Sequence, residues 1–186
     1  MAITQEPWTS SASAPRKLSL VVVPPPVLGA LASGDVELAS RLSHVELTPY
    51  LLGSECRGLW KMRSDQIAKN AADLPWVTRI IVDSGTSHSV GLAGFHGRPD
   101  ARGMVEIGYR IDPAQRRRGY ARTALEILLA TARDQPEVSV IRATVGPDNT
   151  ASRTLIDQNG FQEVGEQWDE EDGLEIILEV TASQPR

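Results

Sequence analysis

The stretch from Met104 to Arg133 reads MVEIGYRIDPAQRRRGYARTALEILLATAR and joins three local patterns. Its first part, Met104–Ile111, is rich in β-branched and apolar residues and predicts a strand. Asp112 and Pro113 end that strand, because proline cannot donate to a sheet ladder. Apolar residues then recur at helical spacing on one face: Ala121, Ala124, Leu125, Leu128 and Ala132. The stretch is therefore a strand–turn–helix unit.

A basic turn, Arg116–Ala121 (RRRGYA), connects the strand to the helix. The first backbone N–H groups of a helix have no partner within it, and the helix dipole favours negative charge there. Gly119 lets the backbone approach a ligand closely, and three arginines add charge and donors. The turn lacks the Gly-Lys-Ser/Thr ending of a nucleotide-triphosphate loop and the three glycines of the dinucleotide fingerprint. It therefore predicts a site for a pyrophosphate in some other setting.

The composition indicates one globular domain with a sizeable core, since the chain has 186 residues of which 41% are hydrophobic. A net charge of −5 argues against general nucleic-acid binding, although RNA binding through the arginine turn is an alternative. The single cysteine, Cys56, excludes an internal disulfide and a cysteine-based zinc site, and fits a reducing, cytoplasmic compartment. No apolar run approaches the ~20 residues of a membrane span. We expect no metal, nucleic-acid or membrane partner.

The domain boundaries follow from composition and pattern. Residues 1–15 are rich in Ser, Thr, Ala and Pro, which predicts a flexible N-terminus followed by a single domain over residues 16–181. Besides Met104–Ile111, strands are predicted over residues 16–23, 76–83, 90–96, 138–145, 161–168 and 174–180. Besides the helix after the basic turn, helices are predicted over residues 27–33, 35–42, 49–70 and 149–159. The strand over residues 90–96 should form an antiparallel hairpin with Met104–Ile111.

The basic turn resembles a known signature. Its residues Arg116-x-x-Gly119-x-Ala121 are similar to the R/Q-x-x-G-x-G/A motif of the GNAT superfamily of N-acetyltransferases, in the strand–turn–helix context that the family requires. The resemblance implies an acetyl-CoA-dependent N-acetyltransferase that acts on a primary amine by direct attack on the thioester. A non-catalytic coenzyme-A-binding sensor on the same fold is the alternative.

Two further elements resemble the branch of this superfamily that includes ribosomal-protein N-terminal acetyltransferases. They are Glu106–Tyr109 (EIGY) and the pair Asn149–Ser152 (NTAS) and Asn159–Phe161 (NGF). The resemblance covers roughly residues 18–180. It implies an α/β (α+β) fold with a single mixed, mostly antiparallel central sheet flanked by helices. Domains of this family are frequently dimers, so a homodimer is possible.

The resemblance also implies where acetyl-CoA binds. In the family the basic turn holds the pyrophosphate, and main-chain groups near the end of the fourth strand hold the thioester and pantetheine. The implied cofactor-binding residues are Arg110, Ile111, Arg116, Arg117, Arg118, Gly119, Tyr120, Ala121 and Asn149. Asn149 also has the position of a helix N-cap, and the two roles are compatible.

Two residues are candidates for the general base. A glutamate at the place of Glu106 is the base in several family members, and strand alternation puts it on one face with Gly108 and Arg110. The other interpretation is a structural carboxylate paired with Arg110. His96 is the alternative base, because imidazole titrates in the required range. In the predicted hairpin it falls near Val105, diagonal to Glu106.

The candidate acid is Ser152, which shares a helix face with apolar residues and should point inward. In some members of the branch this serine protonates the leaving thiolate. The tyrosine that often does so in the family would stand at Ile156 here, so that route is absent. Ser152, a water molecule or no acid at all remain open.

The acceptor side is indicated by two features. The run from Trp168 to Asp172 places four acids in a turn, which are either simply solvated or form a rim that attracts cationic amines. Trp60 is either a pocket wall or a core residue. Trp168, Asp169 and Trp60 are therefore the candidate substrate-binding residues.

Overall fold

The computed structural model describes residues 3–170 and 173–182. Within these residues one eight-stranded sheet runs in the order β1-β2-β3-β4-β5-β6-β8-β7. Its strands are β1 Trp8–Thr9, β2 Leu18–Val22, β3 Arg79–Asp83, β4 His88–Phe95, β5 Met104–Ile111, β6 Val140–Val145, β7 Gln162–Asp169 and β8 Gly173–Thr181. Neighbouring strands are antiparallel except for β5 and β6, which are parallel. The predicted mixed, mostly antiparallel sheet is confirmed.

Helices cover both faces of this sheet. They are α1 Pro25–Ser33, α2 Val36–Leu42, α3 Pro49–Leu52, α4 Ser54–Lys69, α5 Tyr120–Arg133 and α6 Thr150–Asp157. On one face, α1 and α4 share a core with Ile80 and Leu92. On the other face, α5 shares a larger core with β5. Among the described residues, no helix has the length and apolar character that crossing a bilayer requires.

The side chains of β5 alternate as the sequence predicts. Val105, Ile107 and Ile111 are buried in the core beneath α5. Glu106, Gly108 and Arg110 therefore lie on the opposite face, toward α4. This strand separates the two layers, so its polar residues are available to a cleft on the α4 side.

The N-terminal segment differs from the flexible terminus predicted over residues 1–15. Trp8 pairs with Leu20 in the sheet, and its ring packs 5.4 Å from that of Phe95. The buried guanidinium of Arg79 lies 3.7 Å from the Trp8 ring centroid and donates to the carbonyl oxygens of Thr4 and Glu6. Burial lowers the pKa of Arg79 to about 9. These carbonyl contacts satisfy a buried cation, which the composition of the segment does not reveal.

The parallel pair β5 and β6 is short. It pairs Met104–Glu106 with Val140–Arg142, and the ladder between them ends there. In the described part of the chain, β5 continues from Ile107 to Ile111 with a ladder partner on the β4 side alone. The two strands therefore diverge and leave a gap beside the second half of β5.

Candidate active site

The N-terminus of α5 has the properties of an anion site. Gly119 occupies the N-cap with φ +85°, and α5 has neither a side-chain cap nor an acidic residue in its first turn. A Cβ added to Gly119 would meet no atom within 4 Å, so the space in front of the helix is open. The first N–H groups of α5 consequently face an open, positively polarised site.

The three arginines before Gly119 are exposed. Arg116 donates from Nε to the carbonyl oxygen of Ile111 over 3.4 Å, and Arg118 donates from Nη1 to Gln115 over 3.0 Å. Within the described residues, no carboxylate lies within 4.0 Å of the three guanidinium groups. Their charges are therefore available to an anionic ligand.

Tyr120 and Ala121 begin α5, and the structure limits what each offers. The Tyr120 side chain is buried and donates its hydroxyl to Asp83 Oδ2 over 2.8 Å. Only its backbone is therefore available to a ligand at the helix start. Ala121 is half-buried beside it.

The main chain of β5 directs the N–H groups of alternate residues into the gap between β5 and β6. His96 N donates to the Glu106 carbonyl over 2.8 Å, and Asp112 N donates to the Val90 carbonyl over 3.0 Å. Because ladder bonds alternate along an antiparallel pair, Tyr109 and Ile111 direct their N–H groups away from β4.

Arg110 is oriented differently from the predicted pantetheine contact. Its backbone pairs with Leu92, and its side chain donates from Nη1 to the Glu55 carbonyl over 2.8 Å. The N–H groups that face the gap are therefore those of Tyr109 and Ile111, whereas that of Arg110 faces β4.

A cleft lies between α4 and the β4–β5 face. Gly94 and Gly108 oppose each other in the ladder, and the absence of two side chains opens the space above them. The cleft has a volume of about 160 Å³. Its lining residues are Leu59, Arg63, Thr78, Leu92, Gly94, His96, Gly108, Tyr109 and Arg110.

His96 and Glu106 meet at this cleft. The predicted register, with His96 diagonal to Glu106, is wrong by one residue, since the two residues are directly opposed. His96 Nδ1 lies 3.4 Å from Glu106 Oε1, and Thr144 donates to the same oxygen over 2.9 Å. The predicted pairing of Glu106 with Arg110 is not formed. Glu106 is therefore placed to orient the imidazole as well as to accept a proton.

The position of His96 is fixed by several contacts. Its carbonyl oxygen accepts from Arg63 Nη1 over 3.1 Å and from Gln66 Nε2 over 2.9 Å. Its Nε2 lies over Gly108, where an added Cβ would approach to 2.8 Å. Burial lowers the pKa of His96, an effect that the Glu106 carboxylate opposes and the Arg63 guanidinium reinforces. The imidazole is therefore neutral and able to accept a proton at neutral pH.

A hydroxyl pair lies on the other face of β5 from Glu106 and Arg110, since Tyr109 packs against the core beneath α5. Tyr109 and Ser152 share a hydrogen bond of 2.9 Å between their hydroxyl oxygens. Burial raises the pKa of Tyr109, so its hydroxyl remains protonated. Asn149 caps α6 by accepting from Ser152 N over 3.1 Å, as predicted.

Two residues of this cleft, Arg63 and Tyr109, were not among the predicted site residues. Arg63 follows Cys56 and Trp60 and precedes Ile67 on the buried face of α4. An arginine at an apolar position of a helix is a signal that the sequence contains. Tyr109 lies on the same face of β5 as the core residues Ile107 and Ile111, and no sequence pattern indicates that it reaches Ser152.

The candidate substrate-binding residues lie in different environments. Trp60 is 1% exposed and donates from Nε1 to the Leu51 carbonyl over 2.8 Å, so it is a core residue and not a pocket wall. Trp168 is 76% exposed and, with Asp169, lies at the end of β7. The last two acids of the predicted turn, Glu171 and Asp172, lie outside the described residues. Within those residues, no three His, Cys, Asp or Glu side chains converge as a metal site would require.

The chain belongs to the GNAT acetyltransferase family, whose domain model, described as "Acetyltransferase (GNAT) domain", matches residues 31–162. It is an N-acetyltransferase, as the sequence predicts. One relative is the uncharacterized N-acetyltransferase YjdG of Bacillus subtilis, which is 30% identical over 135 residues, 68% of this chain and 79% of the relative. The uncharacterized N-acetyltransferase p20 of Bacillus licheniformis is 26% identical over 122 residues, 66% of each chain.

Solved structures with the same fold include two ribosomal-protein-type enzymes. The RimL ribosomal L7/L12 alpha-N-protein acetyltransferase in complex with coenzyme A has a TM-score of 0.64 and 16% identity, covering 95% of this chain and 98% of that chain. Mycobacterium smegmatis RimJ in complex with CoA-disulfide has a TM-score of 0.61 and 20% identity, covering 90% of this chain and 83% of that chain. At these identities the likeness concerns the fold, and it confirms the predicted architecture. Acetyl-CoA as the acyl donor is supported by the family and by such coenzyme-bound neighbours.

Proposed function

We propose that this chain transfers the acetyl group of acetyl-CoA to a primary amine that occupies the cleft between α4 and the β4–β5 face. The observation that carries the proposal is the position of the His96–Glu106 pair. His96 lines the cleft, and Glu106 lies on β5, whose far end leads into the uncapped N-terminus of α5. A proton acceptor and an anion site are thus joined by one strand, β5. Direct attack of an amine on a bound thioester needs these two sites on either side of the reacting carbon.

The donor would bind along the gap beside β5. Its pyrophosphate would contact the backbone at Gly119, Tyr120 and Ala121, with Arg116, Arg117 and Arg118 adding charge. Its pantetheine would follow Tyr109 and Ile111, whose N–H groups face the gap, and reach Asn149 at the start of α6. Main-chain donors of this kind also stabilise the oxyanion that forms at the thioester carbonyl.

The amine would lose its proton to His96, with Glu106 as the partner that orients the imidazole and balances its charge. Burial lowers the pKa of His96, so the base is unprotonated at neutral pH. The carboxylate of Glu106 lies near Nδ1 and leaves Nε2 toward the cleft. Glu106 acting alone as the base, as the family resemblance implies, is the competing assignment.

Collapse of the tetrahedral intermediate breaks the C–S bond and releases a thiolate. The Tyr109–Ser152 hydroxyl pair would supply the proton that this thiolate takes up, since Tyr109 belongs to the half of β5 that borders the gap and Ser152 lies in the first turn of α6. Ser152 was predicted for this role. Tyr109 adds a tyrosine hydroxyl from β5, while Ile156 at the family's tyrosine position is buried in the core.

The acceptor would also meet the β7–β8 hairpin. Glu175 raises the pKa of His96, so its carboxylate acts on the reacting end of the cleft. Trp168 and Asp169 precede it on the hairpin and would border the entrance.

Calorimetry and a thiol-release assay test the proposal in two steps. We expect acetyl-CoA to bind in the micromolar range or tighter, and failure to bind would refute the donor site. We then expect an amine library to release coenzyme A thiol. Binding without turnover of any amine would instead favour the non-catalytic sensor.

A further inference from the structure

Arg63 is a buried cation without a carboxylate partner. Arg63 is 5% exposed and lines the cleft. Its hydrogen bonds go to neutral acceptors: Thr78 Oγ1 at 3.1 Å, Gln66 Oε1 at 2.7 Å and the His96 carbonyl at 3.1 Å. Among the described residues, no carboxylate lies within 4.0 Å of its guanidinium. An arginine that is desolvated in this way is energetically costly unless an anion meets it.

The contacts of Arg63 leave one nitrogen for such an anion. Its Nε and Nη1 make the three bonds, and in the described part of the chain Nη2 has no acceptor. Burial lowers the pKa of Arg63, and the more distant carboxylates of Asp73 and Glu106 partly oppose that shift. Arg110, which is exposed, lines the same cleft, and its guanidinium donates to the Glu55 carbonyl over 2.8 Å. The cleft therefore has a positive side.

Negative charges lie close to this positive side, because Arg63 donates to the His96 carbonyl and its charge acts on the same imidazole. Glu106 contacts His96, and Glu175 acts electrostatically on the same imidazole. An ammonium group is favoured near these two carboxylates, whereas a carboxylate is favoured near Arg63 and Arg110. A ligand whose ammonium and carboxylate groups are close together matches both charges, whereas a polyamine places a second cation beside the arginines.

We propose that the cleft contains a carboxylate subsite, formed by Arg63 and Arg110, and that the acceptor is a small amino carboxylate of the amino-acid type. This inference rests on the proposed function, because it names the substrate class of that activity. A planar guanidinium matches a carboxylate in geometry. The cleft has a volume of about 160 Å³ and is lined by both arginines, which suits a small zwitterion.

Matched acceptors test the subsite in the unmodified enzyme. Each amino acid is compared with its amide and with the amine that lacks the carboxyl group, and kcat/KM is measured by thiol release. We expect the amino acid to be preferred by about 10-fold or more, since a site built for a charged group discriminates strongly against its absence. Equal values for the three compounds would overturn the carboxylate subsite and leave the acetyltransferase proposal intact. Absence of turnover with every amine would refute both.

Two substitutions assign the preference to its residues. Arg63→Gln should reduce the ratio of kcat/KM between the amino acid and its amide to nearly 1. Arg63→Lys should restore part of this ratio, because it restores the charge. Because Arg63 also holds the His96 carbonyl, all rates should fall in Arg63→Gln, so the ratio between acceptors is the readout. Arg110→Gln changes an exposed side chain and should reduce the ratio several-fold, with acetyl-CoA affinity by calorimetry as the folding control. A preference that survives both glutamine variants would contradict the assignment.

Discussion

Gly108→Ala separates the position of the proposed base from the stability of the fold. An alanine Cβ at this position would lie 2.8 Å from His96 Nε2, whereas ordinary contact begins near 3.4 Å. The imidazole would have to retreat by about 0.6 Å. Since a misplacement of ~1 Å at a reacting group can lower a rate by ~10²-fold, we expect kcat to fall by about 10- to 100-fold.

The same substitution should leave the fold nearly unchanged. Gly108 lies within a strand, and the clash involves the end of a side chain that can rotate. Replacing a strand glycine gains roughly 0.5–1 kcal/mol in backbone entropy, which offsets the ~0.5–1.5 kcal/mol of an off-rotamer histidine. We therefore expect a melting temperature within a few degrees of the unmodified protein and an unchanged acetyl-CoA Kd.

Two glycines provide matched controls for this experiment. A Cβ on Gly165 in β7 meets no atom within 4 Å, so Gly165→Ala should leave kcat unchanged and raise stability slightly, by about 0.5–1 kcal/mol. A Cβ on Gly94 would lie 2.7 Å from the backbone Cα of Thr78, so Gly94→Ala should lower the melting temperature. Calorimetry and steady-state kinetics measure all three variants. A Gly108→Ala enzyme with normal kcat would refute the placement of His96 at the reacting centre.

Three further predictions concern other parts of the molecule. Gly119→Glu should abolish acetyl-CoA binding in calorimetry, because it adds bulk and negative charge at the open N-terminus of α5. Gly160→Glu is the control, since Gly160 also has a positive φ and open space around it. Equal acetyl-CoA affinities in the two variants would exclude the site. Tyr109→Phe and Ser152→Ala should each lower kcat by about 10-fold or more. Because the two side chains share one hydrogen bond, kcat of the double variant should fall by less than the product of the two single losses. Fully multiplicative losses would contradict a shared proton donor. Trp60→Ala should reduce the free energy of unfolding by about 3–5 kcal/mol; a rise in KM without loss of stability would restore Trp60 as a pocket wall.

The sequence predicts the strand–turn–helix unit and the hairpin because their signals are local. Alternation in Met104–Ile111 and helical periodicity after Gly119 each depend on neighbouring residues. The N-cap role of Asn149 is equally local, and the structure contains it. These elements place Glu106 on the strand that leads into the basic turn.

Features that depend on pairing across the fold could not be predicted in the same way. The opposition of His96 and Glu106 depends on hairpin register, in which a shift of one residue changes the partner. The sequence does not distinguish a core position from a pocket wall for Trp60, because the answer depends on how α4 packs against the rest of the fold. The bond between Tyr109 and Ser152 joins residues 43 positions apart.

The identity of the base is tested most directly by the pH dependence of kcat at saturating acetyl-CoA and amine. In the unmodified enzyme, kcat should be nearly constant above neutral pH and fall at acidic pH as His96 becomes protonated, with a midpoint below its ordinary pKa of 6.5. His96→Gln and Glu106→Gln should each lower kcat at neutral pH, by about 10²–10⁴-fold where the base itself is lost. Their residual rates should rise with pH toward the pKa of the amine, because the reaction then needs amine that is already neutral. If both variants keep the rate and the profile of the unmodified enzyme, His96 and Glu106 do not accept the proton and the proposed mechanism is wrong.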